Sequence, residues 1–137
     1  MASRWKRTKC IDNKLQVFVN TCLRRILRIR WPERISNKDL WERTQQDPIT
    51  KSIQHRKWSW IGHTLHKKPE HIPCHALDWN PQGKRKRGRP PNTWRRTMQA
   101  ELKHVNLTWG EAKRVAQDRG RWRSTVQALC SGRSEED

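Results

Sequence analysis

The sequence is short of acidic residues, and this shortage dominates its chemistry. Of its 137 residues, 13 are Asp or Glu and 31 are Lys or Arg, so the formal net charge is +18 and the pI is near 11.1. A charge excess of this size favours a polyanionic partner, because phosphate contacts release condensed counterions whatever the base sequence. A charged surface that serves only solubility is the alternative.

Long apolar runs are also missing, and none approaches the roughly 20 residues that cross a bilayer. The N-terminus is basic, but four polar residues interrupt the stretch 10–19, so no signal-peptide core follows. The cysteines lack any C-x-x-C spacing. Without a secretion signal, they predict reduced thiols in an intracellular protein: Cys10, Cys22, Cys74 and Cys130.

Tyrosine is absent and phenylalanine occurs once, whereas tryptophan occurs nine times. Apolar residues make up 32% of the chain, so we expect a modest core in which indole rings supply much of the buried area. Stacking on unpaired bases is the alternative use of an indole. Helical position favours burial for Trp60, Trp109 and Trp122. Trp94, beside Arg95 and Arg96, is the best stacking candidate, although packing is favoured there too.

No strand-like alternation of useful length occurs, so the sequence predicts an all-α fold of about five helices. The first covers 12–30 and ends at Trp31-Pro32. Ser36 caps a short second helix over 37–44, and Asp47-Pro48 begins a third that extends to 67. The apolar face of the first helix is expected to be buried: Leu15, Phe18, Val19, Cys22 and Ile26. The third is expected to use Ile49, Ile53, Trp60 and Ile61.

Five prolines and two glycines break the helical pattern over 68–91, which predicts an irregular loop. Asn92 is the expected cap of a fourth helix, and Thr108 with Glu111 forms a capping box that opens the last helix, with a bend at Gly120. The predicted organisation is a basic arm over 1–11, a helical lobe over 12–67, the basic loop over 68–91, a helical pair over 92–130 and a polar tail over 131–137.

The basic loop carries the strongest functional signal. Between Asp78 and Glu101 there are seven basic residues and no acid. The run 87–90 matches the core of an AT-hook, in which two arginines flank a slender glycine in an A·T-rich minor groove. A nuclear-import signal or a solvated linker is the alternative. The predicted nucleic-acid-binding residues are Lys84, Arg85, Lys86, Arg87, Gly88, Arg89, Pro90, Trp94, Arg95 and Arg96, with Arg24, Arg25 and Arg28 on the first helix.

No complete catalytic or metal site can be recognised. Asp78 is an isolated carboxylate, and no phosphate-binding glycine loop or nucleophile–base set is present. The spacing of the His/Cys-rich stretch does not suit zinc, because prolines interrupt any helix that would present its ligands together: His63, His66, His71, Cys74 and His75. We therefore expect no metal, no cofactor and no enzymatic activity.

Several ordered motifs resemble one family. They are LQVF at 15–18, CLRRIL at 22–27, IRWPERISN at 29–37, RKWSWIGH at 56–63, ALDWNPQGKR at 76–85, RGRP at 87–90, QDR at 117–119 and WR at 122–123. In this order they resemble the C-terminal part of endonuclease-reverse transcriptases of non-LTR (LINE-like) retrotransposons, particularly the RTE-like group. The resemblance covers about 15–129.

This resemblance implies a thumb-like region and the segment beyond it, whose helices grip RNA, DNA or a hybrid duplex. The family's polymerase and endonuclease carboxylates have no counterpart here, so we expect a truncated, non-catalytic copy located in the nucleus or cytoplasm. A full-length reverse transcriptase is a further expected partner. The alternatives are a nuclear AT-hook-like protein and a pseudogene product without a selected function.

Overall fold

The computed structural model of the protein describes residues 8–68, 70–79, 87–88 and 93–131, and this part of the chain is all-helical. The predicted fold class is confirmed, with seven helices among the described residues in place of about five. They are α1 (Lys9–Ile26), α2 (Asn37–Thr44), α3 (Ile49–Leu65), α4 (Ile72–Asp78), α5 (Trp94–Lys103), α6 (Trp109–Val115) and α7 (Arg119–Ser131).

The chain divides into two compact units, 1–54 and 55–137, and the boundary falls inside α3. In the first unit a chain of side-chain amides connects the helices. The buried Asn20 accepts hydrogen bonds from Gln16 (2.9 Å) and Trp41 (2.8 Å). Gln16 in turn accepts the backbone N–H of Ile49 at 2.8 Å, which satisfies a free amide at the start of α3. Leu40 is fully buried beside this network.

The expected core face of α1 is wrong at Leu15, Phe18 and Ile26, whereas Val19 and Cys22 are half-buried. Phe18 is 66% exposed and Ile26 75%, and Ile11 and Leu15 on the same side are also exposed. The first unit is too small to supply a second apolar layer, because a small unit buries only a modest fraction of its surface. An apolar stripe along α1 therefore faces solvent.

The second unit has the larger core, and its centre was mostly predicted. Met98, Leu102 and Trp122 are buried as expected, but the expected burial of Trp60 is wrong: its ring is 52% exposed, and Trp58 is fully buried instead. The core cluster comes from α3, α5, α6 and α7 and their ends: Trp58, Ile61, Met98, Leu102, Ala112, Ala116, Trp122, Val126, Leu129 and Cys130.

Side-chain caps determine several helix boundaries. Ser36 caps α2, and Thr108 and Glu111 form the predicted capping box at α6. The hydrogen bonds from the Thr108 backbone and hydroxyl lower the pKa of the exposed Glu111 carboxyl. The expected bend at Gly120 is instead a break before it. Asp118 accepts the backbone N–H groups of Gly120 and Arg121 and so starts a new helix, α7.

Two other boundaries differ from the prediction. The segment 68–91, expected to be irregular, contains the short helix α4, which begins with Pro73 in its first turn, where a missing backbone N–H costs nothing. The expected cap Asn92 lies outside the described residues, and the Thr93 hydroxyl caps α5.

Candidate nucleic-acid interface

The three predicted arginines of the first unit have different environments. Arg24 donates to the carbonyl of Ile35 (3.3 Å) and to the side chain of Asn37 (2.8 Å), so it holds the α1–α2 connection in place. Arg25 and Arg28 are exposed, and no ion pair of theirs occurs within the described part of the chain. Arg24 is therefore structural, whereas Arg25 and Arg28 are free to meet a phosphate.

Arg28 lies at a position that ordinarily favours glycine. α1 ends at Ile26, short of the expected residue 30, because Arg28 adopts a left-handed backbone with φ of 57°. Its N–H bonds to the Arg25 carbonyl, and the N–H of Ile29 bonds to the Arg24 carbonyl, which is the Schellman arrangement. A left-handed arginine costs about 1–2 kcal/mol relative to the ordinary backbone regions.

We expect Arg28→Gly to raise the free energy of unfolding by about 1 kcal/mol, because glycine adopts this backbone without strain. The same change is expected to weaken nucleic-acid binding by removing an exposed cation. Urea unfolding and binding measurements on the same variant check both effects. Arg28→Gln, which loses the charge and keeps a side chain, should lower binding without stabilising the fold. If the Arg28→Gly variant binds nucleic acid with unchanged affinity, Arg28 is not part of the interface.

Most of the basic run lies outside the described residues: Lys84, Arg85, Lys86, Arg89 and Pro90. Its described members, Arg87 and Gly88, are exposed. Gly88 has φ of +123°, a conformation that side chains rarely permit, and no atom lies within 4 Å of where its Cβ would be. The backbone conformation at position 88 therefore favours glycine, and the space beside it is open to a partner.

Hydrogen bonds to Asp78, here called the clamp, connect the residues that precede the basic run with those that follow it. At one end, the Asp78 carbonyl accepts a short hydrogen bond of 2.5 Å from the Arg95 guanidinium, which lies at the other end in α5. The Asp78 carboxylate also accepts hydrogen bonds from Trp109 (3.0 Å) and Lys113 (2.5 Å) in α6. Asp78 thus ties α4 to α5 and α6, and the predicted binding residue Arg95 is a structural clamp.

The clamp alters the titration of Asp78. Partial burial raises the pKa of its carboxyl, but the hydrogen bonds from Lys113 and Trp109 and the positive charges of Lys113 and Arg95 outweigh burial and lower the pKa overall. A lowered folded pKa stabilises the fold above the unfolded value of about 3.9, and the stabilisation is lost as the pH falls through the folded pKa.

We therefore expect Asp78→Asn to destabilise the protein by about 1 kcal/mol at neutral pH, a modest amount because the carboxylate is half exposed. The difference from the unmodified protein should shrink below about pH 4. Thermal unfolding of both proteins across pH measures this. Asp47→Asn, in the exposed pair with Lys51, is the control and should change little. A pH-independent difference would contradict the assigned role.

Next to the clamp, Trp94 and Arg96 remain accessible at the start of α5. Trp94 is 45% exposed, so the expected packing is incomplete and the residue stays a candidate for base stacking. Arg96 is exposed and makes no ion pair within the described ranges. Among the predicted binding residues between 84 and 96, this pair is therefore exposed in the described part of the chain together with Arg87 and Gly88.

The structure contains a second basic surface that the sequence prediction missed. Helices α3 and α7 form a groove of about 530 Å³. One wall carries His55, His63 and His66, and the other carries Arg119 and Arg123. The signal was present as helical spacing, since positions 55, 59, 63 and 119, 123, 127 each repeat every four residues and share a face. Only the packing of α3 on α7 brings the two faces together.

The histidines and cysteine considered for zinc do not converge. His63 and His66 line the α3/α7 groove, and Cys74 donates its thiol hydrogen to the Thr64 carbonyl. Over the described ranges, no group of three His, Cys, Asp or Glu side chains could hold a metal ion. The four cysteines are not joined by disulfide bonds. None of the helices in the described ranges is long and apolar enough to cross a membrane.

Comparisons with known proteins returned no relative: no family model, curated protein or solved structure matches the chain.

Proposed function

We propose that the protein binds nucleic acid without catalysis, mainly through phosphates. The observation that carries this proposal is the net charge of +18. Even if each of the 13 carboxylates were paired with a cation, 18 of the 31 Lys and Arg side chains would lack a carboxylate partner. Exposed arginines such as Arg25, Arg96 and Arg123 supply contacts that release counterions from a phosphate backbone.

The positions of the carboxylates support a non-catalytic role. Asp39 and Glu111 lie in helix caps, and Asp118 starts α7. Asp78 forms the clamp, and the buried Glu101 accepts hydrogen bonds from Trp58 and Lys57. These acids stabilise the fold, and the hydroxyls that donate to Asp39 and Glu111 are the helix-capping groups of Ser36 and Thr108.

We further propose that the chain derives from the C-terminal region of a non-LTR retrotransposon reverse transcriptase. The solvent-facing apolar stripe on α1, which includes Ile11, Phe18 and Ile26, supports this origin. Exposed apolar stripes are typical of surfaces that pack against a partner, here the polymerase domain of a longer protein. Broad binding to RNA, DNA and hybrid duplex follows from this proposal.

Selective binding to A·T-rich DNA is the second candidate, and one observation favours it. Gly88 between Arg87 and Arg89 has an open surrounding and a backbone that favours glycine, which suits insertion into a narrow groove. On this candidate, Arg89→Ala would abolish a preference for A·T-rich duplex.

Fluorescence anisotropy with A·T-rich duplex, G·C-rich duplex, single-stranded RNA and RNA–DNA hybrid tests both candidates. Comparable affinity for all four, or a preference for hybrid, supports the polymerase-derived function. A marked A·T preference that Arg89→Ala removes supports the AT-hook-like function. If no ligand binds at moderate salt, both proposals are wrong.

A further inference from the structure

We infer that the α3/α7 groove binds an unpaired nucleic-acid strand, with phosphates on its basic walls and a sugar or base over its floor. This inference rests on the proposed nucleic-acid binding and assigns it a site outside the AT-hook-like segment. The groove lies entirely within the second unit, between helices whose packing is fixed by buried tryptophans.

The α7 wall of the groove is positively charged. Arg119 and Arg123 are exposed and have no carboxylate partner among the described residues. The acid that precedes them, Asp118, is engaged elsewhere: one oxygen accepts the backbone N–H groups of Gly120 and Arg121, and the other pairs with the Arg121 guanidinium at 3.7 Å. The described lining of the groove contains no carboxylate. An anion entering the groove would therefore be attracted by the arginines of the α7 wall, and the imidazole N–H groups of the α3 wall could donate hydrogen bonds to it.

Arg119 and Arg123 do not stabilise the helix that carries them. Arg119 and Arg123 lie within the first five residues of α7, whose first turn contains no acid. Cations near a helix N-terminus are unfavourable, because the backbone dipoles already make that end positive. A bound phosphate would neutralise them.

The floor of the groove has a shape and a chemistry that suit a small ligand. Gly62 has no side chain, so the Trp122 ring lies against the α3 backbone and donates to the Trp58 carbonyl at 3.0 Å. Ala116 and Val126 make the rest of the floor apolar, and Ser59 and Gln127 add hydrogen-bonding groups along the sides. The volume lies within the roughly 300–1,000 Å³ of small-ligand sites.

Unpaired nucleotides suit such a groove better than a duplex. A duplex keeps its bases stacked inside, so only its backbone could reach the walls, and the apolar floor would be left unused. An unpaired nucleotide presents a phosphate to the arginines together with a base or sugar that can cover apolar surface. The groove therefore favours a single strand.

The test compares two double variants that remove the same charge. Arg119→Gln/Arg123→Gln changes the groove, and Arg114→Gln/Arg121→Gln changes exposed arginines of α6 and α7 that do not line it. Anisotropy is measured with a short fluorescein-labelled oligouridylate and with an RNA duplex of the same length. Circular dichroism melting confirms that both variants fold.

We expect the groove variant to lose at least about tenfold more affinity for the single strand than the control variant, because charge-assisted hydrogen bonds are lost as well as overall charge. Both variants should lose duplex affinity equally. Equal losses for the single strand overturn the groove assignment while leaving nucleic-acid binding intact. If the unmodified protein binds neither ligand, the proposed function itself fails.

A mapping experiment on the unmodified protein provides a second readout. Oligouridylate that contains 4-thiouridine is crosslinked by ultraviolet light, and the modified peptides are identified by mass spectrometry. Crosslinks to peptides that contain His63 or Trp122 support the groove. Crosslinks confined to the segment 79–96 overturn it.

Discussion

Replacing Gly62 with alanine is expected to destabilise the protein by about 3 kcal/mol or more, the largest effect of any single methyl group that the structure suggests. A Cβ at this position would lie 1.8 Å from Nε1 of Trp122 and 2.2 Å from its Cδ1. Trp122 is only 6% exposed and cannot swing into solvent without emptying part of the core. Its hydrogen bond to the Trp58 carbonyl would also break.

Gly110→Ala is the matched control, because a Cβ there meets nothing within 4 Å. Gly110 lies in the first turn of α6, so alanine should be neutral or stabilising by up to about 1 kcal/mol. Urea unfolding followed by tryptophan fluorescence measures both variants. If Gly62→Ala is as stable as Gly110→Ala, the α3–α7 packing described here is wrong.

The second large effect is expected at Glu101. This carboxylate is almost fully buried, yet it accepts hydrogen bonds from the Trp58 indole (2.8 Å) and from the Lys57 ammonium (2.5 Å). Glu101→Ala would leave the buried indole N–H without this acceptor and Lys57 without this counter-charge. We expect a loss of about 3–5 kcal/mol, the range found when one partner of a buried pair is removed.

Glu101→Gln separates the two contributions. Its amide oxygen can still accept the Trp58 indole hydrogen, whereas the charge that pairs with Lys57 is lost, so we expect a loss of about 1–2 kcal/mol. Thermal and urea unfolding give both values. If the Ala variant loses no more than the Gln variant, the hydrogen bond to Trp58 contributes nothing and the network is misassigned.

Sequence reasoning succeeded where structure depends on neighbouring residues. The caps at Ser36 and Thr108 were found because a hydroxyl and the amide that it accepts lie three residues apart. The apolar positions of α5 to α7 were predicted correctly because these helices pack around one core, so that the apolar face of each helix is covered by the others. The basic segment was found from its composition alone.

It failed where the outcome depends on which surfaces meet. Trp58 and Trp60 are both plausible core residues, and only the position of α7 makes Trp58 the buried one. The α1 stripe was expected to be buried because its pattern is amphipathic. Such a pattern does not reveal whether a second apolar surface is present to cover it. The sequence did not indicate that Arg24 and Arg95 donate hydrogen bonds to backbone carbonyls; their contacts with nucleic acid stay a prediction.

The candidate interface is therefore narrower and partly different from the sequence prediction. Arg25, Arg28, Arg87, Trp94 and Arg96 remain exposed candidates among the described residues. The α3/α7 groove adds Arg119 and Arg123, which lie in the QDR and WR motifs but were not among the predicted binding residues. Both surfaces carry exposed arginines that can bind phosphate, so phosphate contact is the central claim for both.

The salt dependence of binding tests most directly whether the protein binds through phosphate contacts. The affinity of the unmodified protein for single-stranded RNA is measured by anisotropy between about 50 and 200 mM KCl, and its logarithm is plotted against the logarithm of salt concentration. We predict a linear decrease with a slope of about −2 or steeper, which corresponds to about three or more neutralised phosphates. A slope near zero, or no binding at the lowest salt, would contradict binding through phosphates.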